Sequence, residues 1–215
     1  SQGAYHADAE LGTARAAAAK GHHMVLSTTS STAVEQVVEA RGAAIWHQLY
    51  STNRWEYTVA LLHRAQAAGC TSVCLTIDLP GGRNTETSAV LARKDTRNCD
   101  SCHAGQSKPM FDGLDMRGVE HTDAAMTWAV IARMKEVTDM NVVIKGIEAA
   151  EDAALAVRSG ADAIWVSNHA GRQFDAAPAS IDVLPSIRLA SKLPIIFDSG
   201  VETGLDILRA IASGA

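Results

Sequence analysis

The sequence predicts an α/β protein, a (β/α)8 TIM barrel with about six of the eight βα units present in the chain. Three observations point there. Short β-branched or apolar runs recur at Met24–Ser27, Ala44–Tyr50, Ser72–Asp78, Asn141–Gly146, Ala163–His169 and Pro194–Gly200, as expected of parallel strands covered on both faces. Longer stretches with helical spacing alternate with them, the pattern of βα units joined into a parallel sheet. A small residue and a glycine close a helix just before a strand at Ala68-Gly69-Cys70 and Ser159-Gly160-Ala161, and Ser213-Gly214-Ala215 repeats the motif. By that pattern a strand is expected after Ala215 and another before the first helix, so six visible strands plus one at each end make eight. Residues 1–215 are therefore expected to be a partial barrel domain with its first and last strands missing. A doubly wound open sheet is the alternative, but its usual G-x-G-x-x-G first turn does not occur.

In chain order, Ala7–Gly21 is an alanine-rich helix stopped by glycine, and Met24–Ser27 is the first visible strand. Thr32 and Glu35 have the spacing of a capping box for a helix ending near Gly42. Helices are expected over Trp55–Gly69, Asp123–Thr138, Ala149–Gly160, Ala179–Lys192 and Thr203–Gly214; in the last, Leu205, Leu208, Ile211 and Ala212 share one face. The composition suits one packed domain: 47% of the 215 residues are hydrophobic and 20% charged. No apolar run approaches the roughly 18 residues of a membrane-spanning helix. A net charge of −5 with scattered Lys and Arg leaves no nucleic-acid footprint. Four cysteines are too few for a disulfide-built fold, and Ser1–His6 lacks the basic and apolar regions of a signal peptide. The expected location is the cytoplasm, or the periphery of a membrane.

Polar side chains cluster at the C-terminal ends of the expected strands: Ser27, Gln48 and Tyr50, Thr76 and Asp78, Lys145, Ser167 with Asn168 and His169, and Asp198. In a barrel all of these face one mouth. His169 is the candidate base, because imidazole titrates near neutrality, and Asp198 at the next strand end is the expected partner that orients it. Arg172 offers a planar fork for a carboxylate. Lys145, closing an otherwise apolar strand, puts a positive charge where an anion forms or binds. No metal is called for.

These residues resemble the FMN-dependent α-hydroxy-acid oxidase and dehydrogenase family, which includes glycolate oxidase, lactate oxidase, flavocytochrome b2 and mandelate dehydrogenase. The motifs are Gln48-Leu49-Tyr50, Leu75-Thr76-Ile77-Asp78, Lys145-Gly146, Ser167-Asn168-His169-Ala170-Gly171-Arg172-Gln173 and Asp198-Ser199-Gly200. The resemblance implies oxidation of a small L-2-hydroxy acid to the 2-oxo acid, with FMN at the mouth of the barrel. Electrons would pass on to oxygen, a quinone or a cytochrome, and a homo-oligomer, tetrameric by resemblance, is implied. Ser27, Gln48, Thr76, Lys145, Ser167, Asp198, Ser199 and Gly200 would contact the flavin, with Lys145 stabilising its reduced anion. Tyr50, Arg172 and Arg83 would hold the substrate, and His169 with Asp198 would form the catalytic pair. Removal of the α-hydrogen as a proton, or of the hydroxyl proton during hydride transfer, both remain open. A truncated or decayed barrel without activity, and another FMN-dependent barrel enzyme such as an isomerase, are the alternatives.

The sequence departs from the family's pattern in three places. Asn84 stands where a second arginine is usual, which leaves Arg83 to serve alone. Glu202 replaces an arginine that binds the FMN phosphate; a carboxylate 4 Å from a phosphate would oppose it by roughly 4 kcal/mol at an effective dielectric of 20. Ala170 replaces a glycine and is expected to crowd the flavin. Separately, Cys99-Asp100-Ser101-Cys102-His103 satisfies the C-x-x-C-H pattern of c-type haem attachment. Attachment would need export and a distant axial ligand, so a solvated loop is the reading adopted.

Overall fold

The structure, a computed structural model, describes residues 2–79, 85–96 and 108–215. Six parallel strands form one sheet in strict chain order: β1 (Val25–Ser27), β2 (Trp46–Leu49), β3 (Ser72–Thr76), β4 (Asn141–Ile147), β5 (Ala163–Val166) and β6 (Ile195–Phe197). Among the described residues the helices are α1 (Ala9–Lys20), α2 (Val34–Arg41), α3 (Trp55–Ala67), α4 (Glu86–Lys94), α5 (Val130–Lys135), α6 (Ala150–Arg158), α7 (Ser180–Ala190) and α8 (Gly204–Ala212). This is a partial (β/α)8 barrel, its strands alternating between two apolar layers.

The alternation of side chains decides which residues meet which layer. Cys74, Val143 and Ala163 point inward and pack with Val25, Trp46, Trp165 and Ile196 as the barrel floor. Their neighbours Val73, Leu75, Val142, Ile144, Ile164 and Val166 point outward, where they are buried with Leu61, Leu62, Val37 and Ile187 from the helices. On β2, Trp46 belongs to the inner set, and His47 shares the outer face with Leu49. His47 is fully buried, and neither ring nitrogen has a hydrogen-bond partner among the described residues. Burial pushes its pKa down to about 4.

Two expectations about elements are corrected. Thr32 does not cap α2: its hydroxyl donates to Glu10 at 2.8 Å, while Glu35 meets Arg64 at 2.8 Å, so both members of the expected box are taken by tertiary partners. Glu10 is a buried anchor, accepting also from Gln2 N–H at 2.7 Å and from the Ser31 N–H and hydroxyl at 3.2 and 2.9 Å. Burial alone would raise its pKa, but the bonds from Gln2, Thr32 and Ser31 outweigh that and hold it at about 2. The helix expected over Asp123–Thr138 is confined to Val130–Lys135. Upstream, the Asp123 carboxylate accepts the Ala125 N–H at 3.0 Å, a local turn that competes with helix initiation, and Met126 and Trp128 pack against the core.

The strands also end earlier than expected, at Leu49, Thr76, Val166 and Phe197. Tyr50, Asp78, Ser167–His169 and Asp198 consequently lie beyond the ladder, where their backbones can turn toward the mouth. No helix of the described residues is long and apolar enough to cross a membrane.

Candidate active site

The mouth is built from the ends of adjacent strands. From β1 to β3 a row of polar side chains is linked by hydrogen bonds: Ser27 Oγ donates to Gln48 Oε1 at 3.1 Å, and Gln48 Nε2 donates to Thr76 Oγ1 at 2.8 Å. Thr76 is the direct register partner of Lys145. Lys145 Nζ donates to Ser167 Oγ at 3.1 Å, stands 3.5 Å from Asp78 Oδ2 and lies 5.9 Å from the centre of the Trp165 ring. Its charge is therefore kept in a nearly buried position by a carboxylate, a hydroxyl and an aromatic face.

His169 follows β5 in a turn that the chain holds under strain. His169 and Ala170 both have φ of 54°, in the left-handed region that costs a non-glycine residue about 1–2 kcal/mol. Bonds on every side fix the turn. His169 N–H donates to Ser167 Oγ at 3.1 Å, Ala170 N–H to Ser199 Oγ at 3.0 Å, and Asn168 N–H to Ser180 Oγ at 3.0 Å. The fault at Ala170 is one of backbone conformation. Such over-determined strain is characteristic of functional sites.

The partner of His169 is Asp78, not the expected Asp198. His169 Nδ1 lies 3.1 and 3.0 Å from the two Asp78 carboxylate oxygens, and the Asp78 side chain is 5% exposed. Asp198 is engaged by its neighbour, accepting from Ser199 Oγ at 2.9 Å. Adjacency of strands favoured Asp198, since β6 borders β5; Asp78, which follows β3, reaches His169 across the mouth instead. Glu148, just past β4, is a further carboxyl that the sequence did not single out. Burial and then the nearby Asp78 raise its pKa, against the pull of Lys145.

Lys145, His169, Ala170, Arg172, Asp198, Ser199 and Gly200 line one cleft of about 340 Å3. The Arg172 guanidinium is exposed and forms no ion pair with another described residue. Tyr50 lies with Thr76 in a separate small pocket, its N–H donating to Thr28 Oγ1 at 3.2 Å. A larger neighbouring cleft, about 650 Å3, is lined by Asn168, Gly171, Ser199, Glu202, Asp206 and Arg209. At the start of α8 the Asp206 carboxylate takes the Thr203 N–H at 3.0 Å and hydroxyl at 2.7 Å, and Arg209 is tied to Asp206 at 3.3 Å. Arg83, Asn84 and the Cys99–His103 motif lie outside the described residues.

The sequence profile of the FMN-dependent dehydrogenases matches residues 1–215. The chain belongs to the FMN-dependent dehydrogenase family. Among curated relatives, the L-lactate oxidase of Lentilactobacillus hilgardii is 36% identical, over all of this chain and 59% of its own length. A peroxisomal (S)-2-hydroxyacid oxidase of Arabidopsis thaliana is 33% identical over 98% of this chain and 59% of its own. A crystal structure of mandelate oxidase superposes with a TM-score of 0.81 at 33% identity, over 98% of this chain and 60% of that one. The chain thus spans about 59% of the curated relatives it matches.

Proposed function

We propose that the complete protein oxidises a small L-2-hydroxy acid, of the lactate, glycolate or mandelate kind, to the 2-oxo acid, with FMN as the electron acceptor. The observation that carries this reading is His169, paired with the Asp78 carboxylate, lining the same cleft as Lys145 and Arg172, which forms no ion pair among the described residues. The relatives are named as oxidases of lactate and of (S)-2-hydroxy acids, which supports that substrate class and oxygen as the final acceptor.

The donor set suits the ring of the cofactor. Ser27, Gln48 and Thr76 present hydroxyls and an amide in a row, Lys145 adds a cation at its end, and the floor beneath is apolar. FMN, when bound, supplies the two-electron acceptor. The phosphate end is less well provided for by the described residues, since the Thr203 N–H and hydroxyl are taken by Asp206 and Glu202 is acidic.

The protein's own groups divide the remaining work. A carboxylate at 3.0 Å requires the proton on His169 Nδ1, which leaves Nε2 to take a proton from the substrate, and Asp78 then stabilises the imidazolium. Arg172 clamps the substrate carboxylate through two parallel N–H donors, with Tyr50 as a further hydrogen-bonding group. Lys145 holds positive charge where negative charge accumulates on reduction. Asp198 is kept near the flavin through Ser199 and Gly200, without the role of catalytic partner.

His169→Gln in the full-length protein is expected to retain flavin and to slow its reduction by a hydroxy acid by about two to four orders of magnitude. Stopped-flow absorbance reads this directly, and a near-normal rate would remove the proposed base.

A further inference from the structure

We propose that Gly146 is a positioning residue: the bulge it forms in β4 makes the space in which the Asp78 carboxylate sits between His169 and Lys145. The proposal rests on the reading of His169 and Asp78 as the acid–base pair, but its geometry is independent of flavin.

Three observations converge on this glycine. The β4–β5 ladder runs Lys145↔Trp165 and then Ile147↔Val166, so Gly146 is an extra residue with no partner of its own. The bulge changes which layer the following side chain joins. Two residues after the mouth-facing Lys145, simple alternation would turn Ile147 inward as well. Instead it is fully buried in the outer core beside Ile144 and Val166. Gly146 has φ of 100°, a conformation that L side chains rarely adopt.

The Asp78 side chain fills the place where a Cβ would stand. A methyl group on Gly146 would lie 2.8 Å from Asp78 Cβ, 2.9 Å from Oδ2 and 3.0 Å from Cγ. Oδ2 is the atom that approaches both His169 Nδ1, at 3.0 Å, and Lys145 Nζ, at 3.5 Å. Any side chain here therefore pushes the carboxylate away from both His169 and Lys145. Gly160 provides a contrast. It has φ of 90°, ends the same βα unit and has nothing within 4 Å of an added Cβ. Alanine at Gly160 suffers the backbone penalty alone, whereas alanine at Gly146 suffers that penalty and the collision.

The test compares the two glycines by NMR of the full-length protein with 15N-labelled histidine, a readout that requires no turnover. The Nδ1–H held by Asp78 should give a protected downfield signal, assigned by its loss in His169→Gln. Gly146→Ala is expected to lose that signal, as Asp78→Gly does, while Gly160→Ala keeps it. Retention of the signal in Gly146→Ala, its loss in Gly160→Ala, or its absence from the parent would overturn the proposal. Thermal unfolding covers the case in which Gly146→Ala is poorly folded. In an Asp78→Gly background, which removes the colliding atoms, Gly146→Ala should lower the unfolding midpoint by less than it does in the parent. An equal drop, or failure to fold in both backgrounds, would count against it. Should the signals behave as expected while His169→Gln still reduces flavin normally, the positioning stands and the proposed reaction fails.

Discussion

An imidazole sealed among apolar side chains must stay neutral for the protein to stay folded, and His47 is such a group. Unfolded, it takes a proton below its ordinary value of 6.5; folded, it resists until about pH 4. Stability is thus intact above pH 6.5 and is lost as the pH falls from there toward 4, by roughly 2 kcal/mol between pH 7 and pH 5 from this residue alone. His47→Phe should remove that part of the acid sensitivity, measured as the difference between parent and variant in denaturant titrations at the two pH values. Ala170 offers a second test. Its left-handed backbone suits glycine, so Ala170→Gly is expected to stabilise the protein by about 1 kcal/mol, read as a higher denaturation midpoint. An unchanged or lower midpoint would show that the left-handed backbone at Ala170 costs no more than the chain entropy a glycine adds to the unfolded state.

At the level of elements, two copies of one sequence pattern met different fates. Thr32 with Glu35 and Thr203 with Asp206 both show a hydroxyl residue followed three positions later by an acid. Only the second closes into a capping box. The first was legible as a pattern and unrealised as a structure, because Glu10 and Arg64 are stronger partners for its two members and neither is local. Thr203→Ala should therefore cost about 1 kcal/mol, a normal cap loss detectable in thermal unfolding, provided α8 contributes to the cooperative unit. The six strands were legible from apolar runs, since burial on both faces leaves a strong signal. The helix α4 was not: none of its residues is buried, so it has no apolar stripe to read. The bulge at Gly146 was also hidden, because only the layer reached by Ile147 reveals it.

At the level of the molecule, most of the residues expected at the mouth do gather there, yet the pairing between His169 and Asp78 could not be read from strand adjacency. It depends on reach across the mouth, which a linear pattern does not encode. The sheet leaves β1 and β6 each with one unpaired side among the described residues, and Leu205, Ile207, Leu208 and Ile211 on α8 are each more than half exposed. Produced as these 215 residues alone, the polypeptide is expected to associate with rising concentration. Sedimentation velocity would show this, and Leu205→Lys with Leu208→Lys should weaken it. The strict strand order has a consequence in time. Every strand pairs with its neighbours in the chain, and the longest interval falls between β3, ending at Thr76, and β4, beginning at Asn141. Ser27, Gln48 and Thr76 lie before that interval and Asp78 just inside its start; Lys145, His169, Arg172 and Asp198 lie after it. The Asp78–His169 contact, 91 residues apart in the chain, cannot form until the two halves dock. During synthesis from the N-terminus the first half waits, carrying its carboxylate without Lys145, and the Asp78–His169 pair proposed for proton transfer assembles only once the long connection between β3 and β4 has closed.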